Sequence, residues 1–142
     1  MTTIKRFGYA WLSLAMAIAL HVLDEALNDF LPFYNPLVLS LRERLPWFPA
    51  PTFTFPVWIT GLALGVVLLA VLSRQAFQRR RRMVWPGIIL GVLMTFNGLG
   101  HVGGSLYYGR LLPGVYSSPV LLAVSLWLLR EAWVLRRESR YN

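Results

Sequence analysis

Four long apolar segments decide what this chain can become. They run over roughly residues 7–30, 55–77, 84–107 and 116–135, and each reaches the about 20 residues a helix needs to cross the hydrocarbon of a bilayer. In lipid every backbone amide and carbonyl has to be bonded within the protein, so unbroken segments of this kind span as helices. The expected fold is all-α: a four-transmembrane-helix bundle that uses nearly all of the 142 residues as a single integral membrane domain, 1–142. Composition agrees, because 56% hydrophobic residues against 14% charged ones are too apolar for a water-soluble domain of this size. The first segment follows the basic pair Lys5 and Arg6, yet its apolar run is too long for a signal-peptide core and no clean A-x-A site follows it, so it reads as an uncleaved helix.

The net charge of +8 would point to nucleic acid in a soluble protein, but its distribution follows the membrane. Lys5 and Arg6, then Arg74 and Arg79 to Arg82, then Arg130, Arg136, Arg137 and Arg140 flank alternate ends of the segments, leaving Arg42, Arg44 and Arg110 on the other side. The positive-inside rule then puts both termini and the Arg-rich loop in the cytoplasm. Anionic lipid at the cytoplasmic face is a sufficient partner for "RRRR", and no nucleic acid is expected. The absence of cysteine excludes disulfides, thiolate metal ligands, iron–sulfur clusters and redox dithiols.

Between the first two crossings, prolines enclose a short segment, Leu37 to Leu45, with apolar positions at helical spacing. It predicts either a short interfacial helix that roofs the bundle from outside or an irregular connector. Glycines mark close helix approach: Gly61 and Gly65, Gly87 and Gly91, then Gly98, Gly100, Gly103 and Gly104. Their density places the third crossing at the centre of the bundle. Such faces more often join helices within one chain than between chains, and a homo-oligomer stays open.

The first crossing carries "LHVLDEALND", Leu20 to Asp29, where lipid alone would not tolerate charge. His21 and Glu25, four apart, share a helix face, with Asp24 beside them. In the third crossing Asn97 and His101 repeat the spacing. At about 1.5 Å per residue, His21 and Asn97 both lie roughly 20 Å from the cytoplasmic ends, and Glu25 and His101 roughly 25 Å. Acids facing lipid near its centre would cost about 2.5–3.5 kcal/mol each, so the two polar pairs are expected to face one another in the outer half of the bilayer.

The candidate site is His21, Asp24, Glu25, Asn97 and His101. Of these, His21, Glu25 and His101 suit a divalent metal such as zinc, iron or manganese, since imidazole and carboxylate are ligands for borderline cations. Without metal the same set suits acid/base catalysis with Glu25 and His101 as partners. Bis-histidine haem ligation between helices is a third use, and a hydrogen-bonded polar plug that fixes helix register is the plainest. Asn28 and Asp29 read as capping or interfacial, and Glu131 beside Arg130 as a snorkelling ion pair.

"HVLDE", "NGLGH" and "YYGRLLPGVYSSP" resemble the bacterial HXXEE-motif family, small membrane proteins grouped as a domain of unknown function, over about Trp11 to Ser125. His21 and Glu25 match the ends of that motif, and Asp24 stands where it has its first glutamate, keeping the charge on a shorter side chain. Asn97 and His101 match an N-x-x-x-H segment, and Pro113, Gly114 and Ser117 a P-G-x-x-[ST] turn. The resemblance implies a multi-pass protein of the bacterial inner membrane and supports the site without supplying an activity.

Three functions follow from these readings. The leading one is a membrane-embedded enzyme acting on a lipid-like or other hydrophobic small molecule, with metal or proton chemistry at the site. The second is a small proton-coupled carrier or channel in which Asp24 and Glu25 titrate. The third is a non-catalytic membrane subunit, with or without haem.

Overall fold

A computed structural model describes residues 2–78 and 81–138, Arg81 by its backbone only. Arg79, Arg80 and Arg140 of the basic clusters lie outside the described residues. Five α-helices carry the fold: α1 over Thr3–Leu27, α2 over Phe30–Arg44, α3 over Phe55–Phe77, α4 over Val84–Tyr108 and α5 over Ser118–Glu138. All except α2 are long and apolar enough to cross a membrane, and no strand occurs among the described residues.

The outside of the bundle is as apolar as its inside. Val57, Leu64, Val67, Leu68 and Val71 on α3, and Ile89, Leu93 and Phe96 on α4, are all more than half exposed. A continuous surface of that kind is untenable in water and ordinary in hydrocarbon.

Helices α1 and α5, and not the third crossing, share the centre. The glycine-rich α4 packs chiefly on α5, while α1 lies against both α3 and α5. The reason is which faces the glycines occupy. A Cβ on Gly91 would come within 2.6 Å of Leu129 Cγ, and one on Gly98 within 2.8 Å of Leu122 Cγ. These two positions let α4 settle onto α5. At Gly61, Gly65, Gly100 and Gly103 an added Cβ would meet nothing within 4 Å, so these glycines join no helices among the described residues.

Along α1 the buried positions Phe7, Trp11, Leu14, His21 and Glu25, with the partly buried Ile18, fall at alternating spacings of four and three. This is the stripe a helix turns toward its neighbours. Its lower part is apolar: Phe7, Trp11 and Leu14 pack with Leu121, Leu128 and Ala132 of α5. The Trp11 indole donates to the Leu69 carbonyl of α3 at 2.9 Å. The upper part of the same stripe is His21 and Glu25, so the helix that builds the core also delivers the ionisable groups.

Two elements differ from the sequence reading. Helix α2 begins at Phe30, seven residues before Leu37, because Asp29 takes a left-handed conformation (φ 56°, ψ 50°) that ends one helix and starts the next. Pro32 then falls in the first turn, where its missing N–H bonds nothing in any case, while Pro36 is tolerated inside the helix. The extended stretch before α3 is tied to α2 by Asn35, which donates to the Phe53 carbonyl at 2.9 Å and accepts from the Phe53 amide at 3.1 Å.

Glu131 is the second difference. Its side chain is 1% exposed, with Arg130 at 3.0 Å and Arg6 of α1 at 3.3 Å. It keeps the ion pair with an exposed Arg130 that the sequence suggests and adds a contact to Arg6 that joins two helices inside the bundle.

Candidate functional site

The upper half of the bundle brings four of the five candidate residues around one point. His21, Asp24 and Glu25 are buried, and His101 and Asn97 approach from α4, both partly exposed. The His21 and His101 rings meet edge to face with centroids 4.7 Å apart. Glu25 Oε1 lies between them, 3.2 Å from His101 Nε2 and 3.7 Å from His21 Nε2. One ligand atom from each of His21, Glu25 and His101 falls within 4.8 Å of the others. Four ligands placed tetrahedrally at about 2.0–2.1 Å from a zinc ion are separated from one another by about 3.4 Å, so this group needs only small side-chain shifts to close on a cation.

Asp24 points elsewhere. Its Oδ1 accepts from Asn28 Nδ2 at 2.9 Å, while Oδ2 accepts from the Ser117 amide at 2.8 Å and from the Ser117 hydroxyl at 2.7 Å. With both oxygens engaged, Asp24 clamps the end of α1 to the turn before α5. The shorter aspartate suits this use, since a longer side chain would overreach the turn. Asn28, the C-cap of α1, also donates to the Asp24 carbonyl at 2.8 Å, in line with its capping role.

Ser117 connects that clamp to the histidine. Its single hydroxyl proton is directed at Asp24 Oδ2, since two oxygen lone pairs would repel at that distance. His21 Nδ1, 2.8 Å from Ser117 Oγ, must then donate. This assigns the proton of neutral His21 to Nδ1 and leaves Nε2 as a bare lone pair. That atom is buried and has no hydrogen-bond partner among the described residues. Asn97 Oδ1 also lacks a partner, and although the Asn97 side chain lies within hydrogen-bonding reach of His21, two acceptors, a bare Nε2 and an amide oxygen, cannot bond to each other. Buried polar atoms left without partners at one place call for an explanation, and a bound cation or polar ligand supplies one.

The turn over residues 113–117 closes the site from above. Gly114 has φ +85°, and a Cβ there would stand 2.8 Å from the His101 ring and 2.9 Å from the His21 ring. Glycine is needed for both reasons. The turn is fixed by the Ser118 amide and hydroxyl, which donate to the Gly114 carbonyl at 3.1 and 2.7 Å.

Helical spacing on α1 and α4 points to His21, Glu25, Asn97 and His101. The holding roles of Ser117 and Gly114 depend on a contact across more than ninety residues of chain, which periodicity does not reveal. The only sequence signal for them is the P-G-x-x-S turn itself. Ser117→Ala is expected to lower metal affinity about 10–100-fold, the usual effect of removing a group that orients a ligating histidine, and a chelator-competition titration reads this directly.

In comparison with known proteins, the model of a family described as a protein of unknown function with HXXEE motif matches residues 11–128. No curated protein and no solved structure gives a significant match.

Proposed function

We propose, from the premise that this chain belongs to the HXXEE-motif family of proteins of unknown function, that it is a membrane-embedded enzyme whose His21, Glu25 and His101 hold one divalent metal ion beside a hydrophobic substrate. The observation that carries the reading is the buried, unpartnered Nε2 of His21, on the same side as Glu25 Oε1 and His101 Nε2. Two imidazoles and a carboxylate are the donor set of sites that keep a coordination position for substrate or water. Zinc, iron and manganese all suit it, and such an ion would supply Lewis-acid chemistry. The remaining residues act by position: Ser117 and Asp24 hold the His21 tautomer, Gly114 admits both rings, and Asn97 offers an acceptor at the rim.

A metal-free version, in which Glu25 and His101 pass a proton between them, draws on their 3.2 Å contact. The other readings have less support. A porphyrin needs an open slot between its two histidines, whereas these rings meet edge to face at 4.7 Å with Gly114 against both. A proton path would have to traverse the apolar core around Phe7, Trp11, Leu14, Leu121 and Leu128. The hydroxyls of Thr95 and Ser125 nearby are already bonded to carbonyls of their own helices. The arginine distribution supports cytoplasmic termini and a site in the outer half of the bilayer.

Elemental analysis of the detergent-purified protein by mass spectrometry tests the proposal. About one metal ion per chain is expected, with little or none in His21→Ala and His101→Ala. Protein that stays metal-free after incubation with zinc, iron and manganese salts, or variants that retain the ion, would remove the metal.

A further inference from the structure

The site has a side entrance. A cavity of about 390 Å³ is lined by Phe30 and Tyr34 of α2, Phe53 just before α3, Val57, Trp58, Gly61 and Leu62 in the first turns of α3, and Glu25 and Asn97 at its floor. This volume falls within the about 300–1,000 Å³ typical of small-molecule sites. Val57 and Gly61 are the exposed members of this lining, on the helix that carries the exposed apolar ridge of Leu64, Val67 and Leu68, and this places the mouth on that side. Nothing stands within 4 Å of where a Gly61 Cβ would be, so this glycine leaves the opening clear. The wall opposite is held in place, because Phe30 stacks on Tyr34 and Trp58 with centroids 5.2 and 5.7 Å apart, and Tyr34 donates to the Pro51 carbonyl at 3.0 Å.

We infer that this cavity takes a long-chain alcohol, a single-tailed amphiphile with a hydroxyl head, directly from the surrounding leaflet; the inference rests on the metal reading above and specifies its substrate class. The walls are aromatic and aliphatic and fit a hydrocarbon tail. At the floor, Asn97 Oδ1 is a buried acceptor without a donor, and Glu25 belongs to the metal-ligand group. A head that satisfies both must donate one hydrogen bond and present an oxygen lone pair to a cation. A hydroxyl does both at once. A carboxylate head lacks the donor, and an ammonium head would be repelled by the metal and has no lone pair to offer.

The test uses the full-length protein in phosphatidylcholine vesicles with two photoreactive probes, a diazirine-bearing hexadecanol and its methyl ether, and mapping of the labelled residues by mass spectrometry. The alcohol is expected to label Phe53, Val57 and Trp58 about fivefold more than the ether, the ratio one hydrogen bond supplies. Gly61→Leu, which fills the mouth, should cut that labelling about tenfold while metal content stays at the wild-type level. Equal labelling of the wild type by the two probes overturns the inference. Undiminished labelling in Gly61→Leu does so as well, and the wild-type comparison stands even where that variant fails to fold. Alcohol-selective labelling of a chain that binds no metal would sink the metal reading and leave the alcohol site in place.

Discussion

Glu25→Gln should lower metal affinity about 10²–10³-fold. Sites of four ligands bind zinc with apparent energies of about 10–16 kcal/mol, so one ligand accounts for about 3–4 kcal/mol, at about 1.4 kcal/mol per factor of ten. Glutamine preserves the size of the side chain and the i,i+4 relation to His21, but its neutral oxygen is a poor donor to a cation. The metal-free fold should not suffer, because burying an amide is less costly than burying a carboxylate. The two effects separate in a thermal melt. Wild-type protein at a metal concentration 100 times its Kd gains about 2.7 kcal/mol, whereas Glu25→Gln at the same concentration should melt near its metal-free temperature. Equal stabilisation of both proteins by metal would place the ion elsewhere.

Gly114→Val has the largest effect expected on the fold. A residue with a Cβ at φ +85° is strained by about 1–2 kcal/mol. Its added atoms would enter space held by both histidine rings, and overpacking of that kind costs typically about 1–3 kcal/mol. The sum, about 2–5 kcal/mol, reaches at its upper end the lower limit of the about 5–15 kcal/mol by which folded domains are typically stable. If the protein survives, the turn must lift. That draws Ser117 away from Asp24 and His21 and removes the hydrogen bond that fixes the imidazole. Loss of both melting temperature and metal binding is the expected result. A variant that keeps both would show that the turn does not press on the rings.

The spans were legible because length and apolarity alone decide them in lipid. Helix α3 occupies Phe55–Phe77, as its composition indicates, and α4 differs from its sequence boundary by one residue. The approach of His21 and Glu25 to His101 was legible for a related reason, since equal counts of residues from the same membrane face place groups at equal depth. Packing order was not. Glycines at 61 and 65 look the same in sequence as those at 87 and 91, yet only the second pair lies against other helices, because which face is covered depends on neighbours that the local sequence does not name. Proline likewise misled at α2, where Pro32 falls in the one turn of a helix that can accept it without losing a bond. The sequence places Asp24 in the candidate site with Glu25, though not among the metal ligands. The difference between them is one of reach and register: Glu25 continues the buried stripe of α1, while Asp24, one position earlier, is turned toward Ser117.

X-ray absorption at the metal edge is the most direct test of whether His21, Glu25 and His101 converge on one ion. With zinc supplied to the purified protein, the spectrum should show imidazole nitrogens and carboxylate oxygen at about 2.0–2.2 Å, with one imidazole contribution lost in His101→Ala. A spectrum without imidazole scattering, or one unchanged by that substitution, would mean that the two histidines meet for packing alone.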